Sequence, residues 1–114
     1  MILFHNASCS TSRTAKQLLE KENCRFEVRD YLNEPPTQKE LKELLQKLGL
    51  KAIDIVRKKE ALYQEQYSEV KLTNAEWIRV LSKNPRLIER PILITGSKAV
   101  IGRPPERVLD LVKR

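Results

Sequence analysis

The chain has 114 residues, 40% of them hydrophobic and 32% charged, with 22 Lys and Arg against 15 Asp and Glu and a formal net charge of +7. That size fits one compact domain over residues 1–114, and the apolar fraction is too high for a disordered chain. No apolar run approaches the roughly 20 residues of a membrane-spanning helix, Met1–His5 carries no signal-peptide pattern, and two cysteines make no disulfide framework. The expected setting is therefore cytoplasmic and reducing, with no membrane partner.

The positive excess is uneven. Residues 1–30 carry five positive and four negative side chains, residues 31–70 seven of each, and residues 71–114 ten and four. A basic surface suits nucleic acid, an anionic membrane or a small oxyanion. With only 5% aromatic residues and no basic helix interleaved with aromatics, nucleic acid is the poorest of these.

In chain order, residues 1–5 are apolar and β-prone and run into the polar stretch His5-Asn6-Ala7-Ser8. A helical pattern starts at Thr11 or Ser12, with Ser10 or Ser12 as N-cap and Ala15, Leu18 and Leu19 at helix spacing. It should end near Asn23, which tolerates a left-handed conformation. Residues 25–31 alternate apolar and charged side chains and read as a strand, completing a βαβ unit with parallel strands.

The middle, residues 37–84, is read as a helical insertion. Thr37 and Glu40 form a capping box ahead of a helix over 38–48, whose Leu41, Leu44, Leu45 and Leu48 share a face, and Gly49 closes it. Residues 51–57 and 58–67 read as short helical pieces. Thr73 and Glu76 form a second capping box before a helix over 75–83, stopped by Asn84-Pro85. Pro91–Thr95 and Ala99–Ile101 flank a Gly-containing turn and read as a hairpin. A last helix over 106–112 follows, with Pro in its first turn.

Cys9 sits where this topology would place a site, in the loop leaving the first strand. An isolated Cys is ordinarily a small buried apolar residue. Just before a helix N-terminus, however, unsatisfied N–H groups and the positive dipole end stabilise a thiolate, and Arg13 adds positive charge. The same N–H groups can hold an oxyanion. Nucleophile and anion cradle coincide, as attack on a bound tetrahedral oxyanion requires. Cys24 follows the helix end, and buried and inert is the reading for it. With one helix length between them, roughly 20 Å, the two thiols are too far apart for a disulfide. The third residue after Cys9 is Ser12, so no resolving thiol is at hand. One His and two distant thiols argue against a metal site.

The run His5-Asn6-Ala7-Ser8-Cys9-Ser10-Thr11-Ser12-Arg13 resembles the H-N-x-x-C-x-x-S-R signature of the glutaredoxin-coupled arsenate reductase family. Further resemblances lie at Tyr31–Pro36, Val56–Lys58, Glu89–Ile92 and Ile101–Glu106, in order over nearly the whole chain. The match is strongest to the short bacterial branch of arsenate-reductase-like proteins, and the chain stops soon after its last helix, where better-known members continue. The resemblance implies a thioredoxin-like α/β fold, a βαβ–ββα mixed sheet with a helical insertion between its halves. It implies a catalytic set of Cys9, His5 and Ser12, and substrate contacts from Arg57, Arg90, Arg103, Asn6 and Arg13. Guanidiniums suit a three-oxygen anion because they bond it in a fork and keep their charge. His5 would lend positive charge or a hydrogen bond to the thiolate. Pro91 resembles the cis-proline beside the active cysteine of this fold.

The activity so implied is reduction of arsenate to arsenite through a Cys9 thiol–arsenate adduct. Glutathione is the co-substrate and glutaredoxin the partner that resolves the adduct, with no bound cofactor. Two other readings stay open. One is a glutathione-dependent thiol/disulfide oxidoreductase on the same site. The other is a non-enzymatic RNA polymerase-binding regulator of a related group, which is disfavoured because Cys9-Ser10-Thr11-Ser12 lacks the second thiol of a C-x-x-C switch.

Overall fold

A computed structural model describes Met1–Val112; Lys113 and Arg114, counted above among the basic residues of the last third, lie outside the described residues. The chain forms two compact units, Met1–Glu34 with Arg90–Arg114, and Pro35–Glu89.

The first unit is built on four strands, β1 (Ile2–Phe4), β2 (Glu27–Arg29), β3 (Ile92–Ile94) and β4 (Ala99–Ile101), in the order β2-β1-β3-β4. β1 pairs parallel with β2 and antiparallel with β3, which pairs antiparallel with β4. This is the mixed α/β sheet of βαβ and ββα halves that the sequence predicts. One register row crosses it as Val28, Leu3, Leu93 and Val100. Because side chains alternate faces along a strand, this row presents one apolar side. Leu3, Leu93 and Val100 form the core there with Ala15, Leu19 and Val108. Val28 lies on the edge strand and is 45% exposed, so the alternation read over 25–31 yields a strand of only three residues.

Helix α1 (Ser10–Lys21) lays Ser12, Ala15 and Leu19 on the core, the i, i+3, i+7 stripe of an amphipathic helix. It begins earlier than its apolar pattern suggests, and its N-cap is Cys9 rather than Ser10 or Ser12. The helical bonding starts with Arg13 N–H donating to Cys9 O at 3.0 Å, while the Ser12 hydroxyl faces back to the loop. At the other end Asn23 takes φ 56°, and Cys24 N–H reaches back to Leu19 O at 3.4 Å, a Schellman-type closure. The last helix is a 3₁₀ helix, Pro105–Leu111, packed on α1 and β4. Its tighter three-residue turn sets Pro105, Val108 and Leu111 in one row, with Val108 fully buried. The Arg90–Pro91 and Arg103–Pro104 peptide bonds are both cis.

The second unit is helical: α2 (Gln38–Leu48), α3 (Ala61–Gln66) and α4 (Asn74–Lys83), with 3₁₀ turns at Ala52–Ile55 and Pro85–Leu87. Both capping boxes form, Thr37 with Glu40 and Thr73 with Glu76. Gly49 closes α2 at φ 69°, a conformation that favours glycine. Leu41, Leu44 and Leu45 of α2 and Trp77, Ile78 and Leu81 of α4 are buried where the two helices pack. An antiparallel bridge, Val56 to Ile88, ties the segment after the first 3₁₀ turn to the end of this unit. Among the described residues no helix is long and apolar enough to cross a membrane.

Leu19 has no exposure and joins α1 to the sheet, so Leu19→Ala is expected to destabilise the protein by about 2–5 kcal/mol. Urea denaturation measures this; a loss below about 1 kcal/mol would mean that the helix is not held by this core.

Candidate active site

The loop after β1 is ordered by its own polar groups. His5 N–H extends the β1–β2 pairing by donating to Arg29 O at 3.0 Å, and Cys9 N–H closes a turn on Asn6 O at 3.0 Å. Asn6 Oδ1 accepts from Ser8 N–H at 3.0 Å and from the Ser8 hydroxyl at 2.8 Å. Arg13 Nη1 donates to Ala7 O at 2.8 Å. Asn6 and Arg13, expected as substrate contacts, thus brace the loop that carries Cys9.

Ser12 and His5 form a buried pair beneath it. Ser12 Oγ accepts from Asn6 N–H at 3.1 Å and lies 2.7 Å from His5 Nδ1. A hydroxyl that accepts the Asn6 bond still has one proton to give, and a neutral imidazole accepts it at Nδ1 while holding its own proton on Nε2. Burial, with the nearby Lys16 charge, pushes the His5 pKa down; Asp30 raises it and Arg13 lowers it further, and the net is a fall from 6.5. Burial thus favours the neutral form of His5, whose hydrogen-bond partner is Ser12. Ser12 shares the core stripe of α1, so its hydroxyl is spent on Asn6 and His5.

Cys9 is half-buried with its thiol free. As N-cap it makes no side-chain cap bond of ordinary geometry, but its sulfur feels the first N–H groups of α1. Burial pushes the thiol up. The Ser12 N–H, the Arg90 guanidinium and the Thr11 N–H outweigh it, and the thiol titrates below its ordinary value. Arg103 Nη2 donates toward Cys9 Sγ from 3.7 Å.

The two arginines reach the site because of the β3–β4 register. Ile92 pairs with Ile101, and Gly102 N–H donates to Pro91 O at 2.8 Å, so the same register sets Arg90 opposite Arg103. There Arg103 Nε takes the Arg90 carbonyl at 2.8 Å. Like charges directly opposite across a strand pair are unfavourable, by up to about 1 kcal/mol. Here the pair is half-buried and faces a thiol that can become an anion. Arg90 Nε is buried and meets no acceptor in the structure. An orphaned guanidinium donor beside a stabilised thiolate is a place for an anion's oxygen.

Arg57 belongs to the second unit. Its N–H donates to Leu87 O at 2.7 Å beside the Val56–Ile88 bridge, and its guanidinium binds Glu60 at 2.9 Å and Glu89 at 3.6 Å. Sequence reasoning overlooked both carboxylates, although Glu60 three residues after Arg57 is an ion-pair spacing. It also overlooked Gly102, whose only signal is a Gly preceding Arg103-Pro104. Cys24, expected buried, is half-buried: it follows the left-handed Asn23 at the rim of the core, with Sγ 3.9 Å from Glu22 O. Among the described residues no three His, Cys, Asp or Glu side chains gather as metal ligands.

The sequence model of the ArsC family matches residues 4–111. The arsenate reductase of Neisseria meningitidis serogroup A / serotype 4A is 42% identical over 108 residues, 93% of this chain and 92% of that one. An uncharacterized Escherichia coli (strain K12) protein, YfgD, is 40% identical over 112 residues, 96% of this chain and 94% of that one. Among solved structures, arsenate reductase from Vibrio cholerae superposes with a TM-score of 0.90 at 39% identity, covering 96% of this chain and 94% of that chain.

The electrostatics of Cys9 give a direct test. In a Cys24→Ala background, iodoacetamide alkylation is expected to follow a thiol that ionises below a free cysteine, because only the thiolate reacts. Arg90→Gln should shift that pH profile upward and slow alkylation at pH 7 by about three- to tenfold. An unchanged profile would remove Arg90 from the stabilisation of the thiolate.

Proposed function

The chain belongs to the ArsC family, and from that premise we propose that it reduces arsenate to arsenite with Cys9 as nucleophile. The observation that carries this reading is the Cys9 thiol at the N-terminus of α1, held low by N–H groups and Arg90, with Arg103 Nη2 at 3.7 Å. The unmatched Arg90 Nε supports an oxyanion beside it. Two guanidiniums and the helix N-terminus supply donors for its oxygens and neutralise its charge. Arg57 is the third arginine of the proposed substrate set, on the strength of the family resemblance. Asn6, Arg13, Ser12 and His5 serve by holding the loop rigid, so that the thiolate need not reorganise at the moment of attack.

The Cys9 thiolate attacks arsenic, an arsenic–oxygen bond breaks, and the oxygen leaves as water after protonation. This forms a Cys9 sulfur–arsenic(V) adduct. Cys24 lies beyond the opposite end of α1 and cannot resolve it, so an external thiol is required. Glutathione is that thiol in our proposal. Its thiolate attacks the Cys9 sulfur; the sulfur–arsenic bond breaks with its electron pair kept by arsenic, which departs as arsenite. Cys9 is left in a mixed disulfide with glutathione. Glutaredoxin then accepts the glutathione by thiol–disulfide exchange and returns Cys9 as the thiol. Two thiols are oxidised for one arsenic reduced by two electrons, and no bound cofactor takes part.

The test is steady-state arsenate reduction with glutathione, glutaredoxin and a coupled glutathione reductase. Wild-type protein is expected to turn over, and Cys9→Ser to fall to the uncatalysed background. Activity retained by Cys9→Ser would remove the nucleophile from the mechanism. Absence of wild-type turnover with arsenate, alongside turnover of a glutathione mixed disulfide, would replace arsenate by a disulfide substrate. Omitting glutaredoxin alone isolates the partner: undiminished turnover would show that Cys9 is regenerated without it.

A further inference from the structure

Gly102 is buried between two groups that leave no room for a side chain. A Cβ built on it would lie 2.9 Å from Pro91 Cγ, 2.9 Å from Val108 Cγ1 and 3.6 Å from Pro91 Cδ. Real carbon contacts at 2.9 Å do not occur, so one partner must move by about half an ångström. Neither can do so by turning a flexible side chain. Pro91 is a ring fused to its own backbone, and Val108 is fully buried in the core with Leu3, Leu19 and Leu93.

What hangs on Pro91 is the anion site. Gly102 N–H donates to Pro91 O at 2.8 Å, and one register step further Arg103 Nε donates to Arg90 O at 2.8 Å. These two bonds clamp the Arg90-Pro91 segment to the Gly102-Arg103 segment. From that clamp Arg103 Nη2 extends to Cys9 Sγ, and the Arg90 guanidinium stands against the same sulfur. The other titratable side chains of the loop are committed elsewhere: Arg13 to Ala7 O, and His5 to Ser12.

We propose that Gly102 is a positioning residue for the thiol site. Its missing Cβ lets Pro91 close over Val108, and that closure sets the Arg90 and Arg103 guanidiniums against Cys9. The inference deepens the reading of Cys9 as the reactive thiol, and does not depend on arsenate being the substrate. Gly102 acts through its neighbours and touches neither thiol nor oxyanion.

The test separates this role from plain core packing. In a Cys24→Ala background, Gly102→Ala is compared with Gly102→Ala/Val108→Ala, in which the Val108 clash is relieved and the Pro91 clash remains. Val108→Ala alone is the control. Folding is followed by circular dichroism and urea denaturation, and the thiol by the pH profile of iodoacetamide alkylation, well below the unfolding transition. Gly102→Ala is expected to move the alkylation profile upward and slow the reaction at pH 7 by about threefold or more. The double variant is expected to regain stability relative to Gly102→Ala while keeping the slow, up-shifted thiol. Should Gly102→Ala not fold, the double variant is read against Val108→Ala. A wild-type alkylation profile in folded Gly102→Ala, or one restored together with stability in the double variant, would reduce Gly102 to core packing and overturn the proposal. Because alkylation needs no arsenate, failure here is distinguishable from failure of the arsenate reading, which shows as absent wild-type turnover.

Discussion

Two guanidiniums set opposite one another at the end of a hairpin repel, and in this protein that repulsion is directed at a sulfur. Arg90 and Arg103 face one another two register positions beyond the Ile92–Ile101 pair of β3 and β4, half-buried, where water screens them poorly. Negative charge beside the pair offsets that repulsion. Cys9 at the N-terminus of α1 provides that charge when it ionises, and Arg90 with the Ser12 and Thr11 N–H groups lowers its thiol. An oxyanion adds more. In the proposed reaction, thiol activation and oxyanion binding draw on the same positive groups: two side chains and a helix end.

The sheet exists, functionally, to bring those contributors together. β1 delivers Cys9 through its exit loop, and β3, paired antiparallel to β1, brings Arg90 to the edge from which that loop leaves. β4 then carries Arg103 to the same edge by pairing with β3. Residues 9, 90 and 103 meet because three short strands agree in register. A one-residue slip would turn every strand side chain to the opposite face, emptying both core and site at once. The apolar row Leu3, Leu93 and Val100 pins that register from below.

Around the thiol, polar side chains order the loop. Asn6, Ser8, Ser12, His5 and Arg13 satisfy loop carbonyls, N–H groups and one another. Arg90 and Arg103 converge on the sulfur, whereas Arg57, paired with Glu60 and Glu89 in its own unit, carries its counter-ions with it. The net charge of +7 therefore says little by itself. Where individual arginines converge, Arg90 and Arg103 on Cys9 and Arg57 on its carboxylates, says more.

Sequence alone determined what is local or periodic. Both capping boxes, the left-handed Asn23 and Gly49, the apolar stripes of α1, α2 and α4 and the hairpin around Gly96 follow from side-chain types a few residues apart. The lowered thiol of Cys9 is legible for the same reason, since a cysteine ahead of a helical pattern meets the N–H groups of its own chain. The start of α1 at Ser10 was not, because Ser12 gives its hydroxyl to Asn6 and His5, a choice made by the folded loop. The fall in the His5 pKa likewise comes first from burial, which no spacing reports. The Arg90–Arg103 pairing, and the contact of Gly102 with Pro91, arise from strand register between segments joined only in three dimensions. Tertiary structure decided those, because the forces involved, like-charge repulsion and excluded volume, act over ångströms of space and not along the chain.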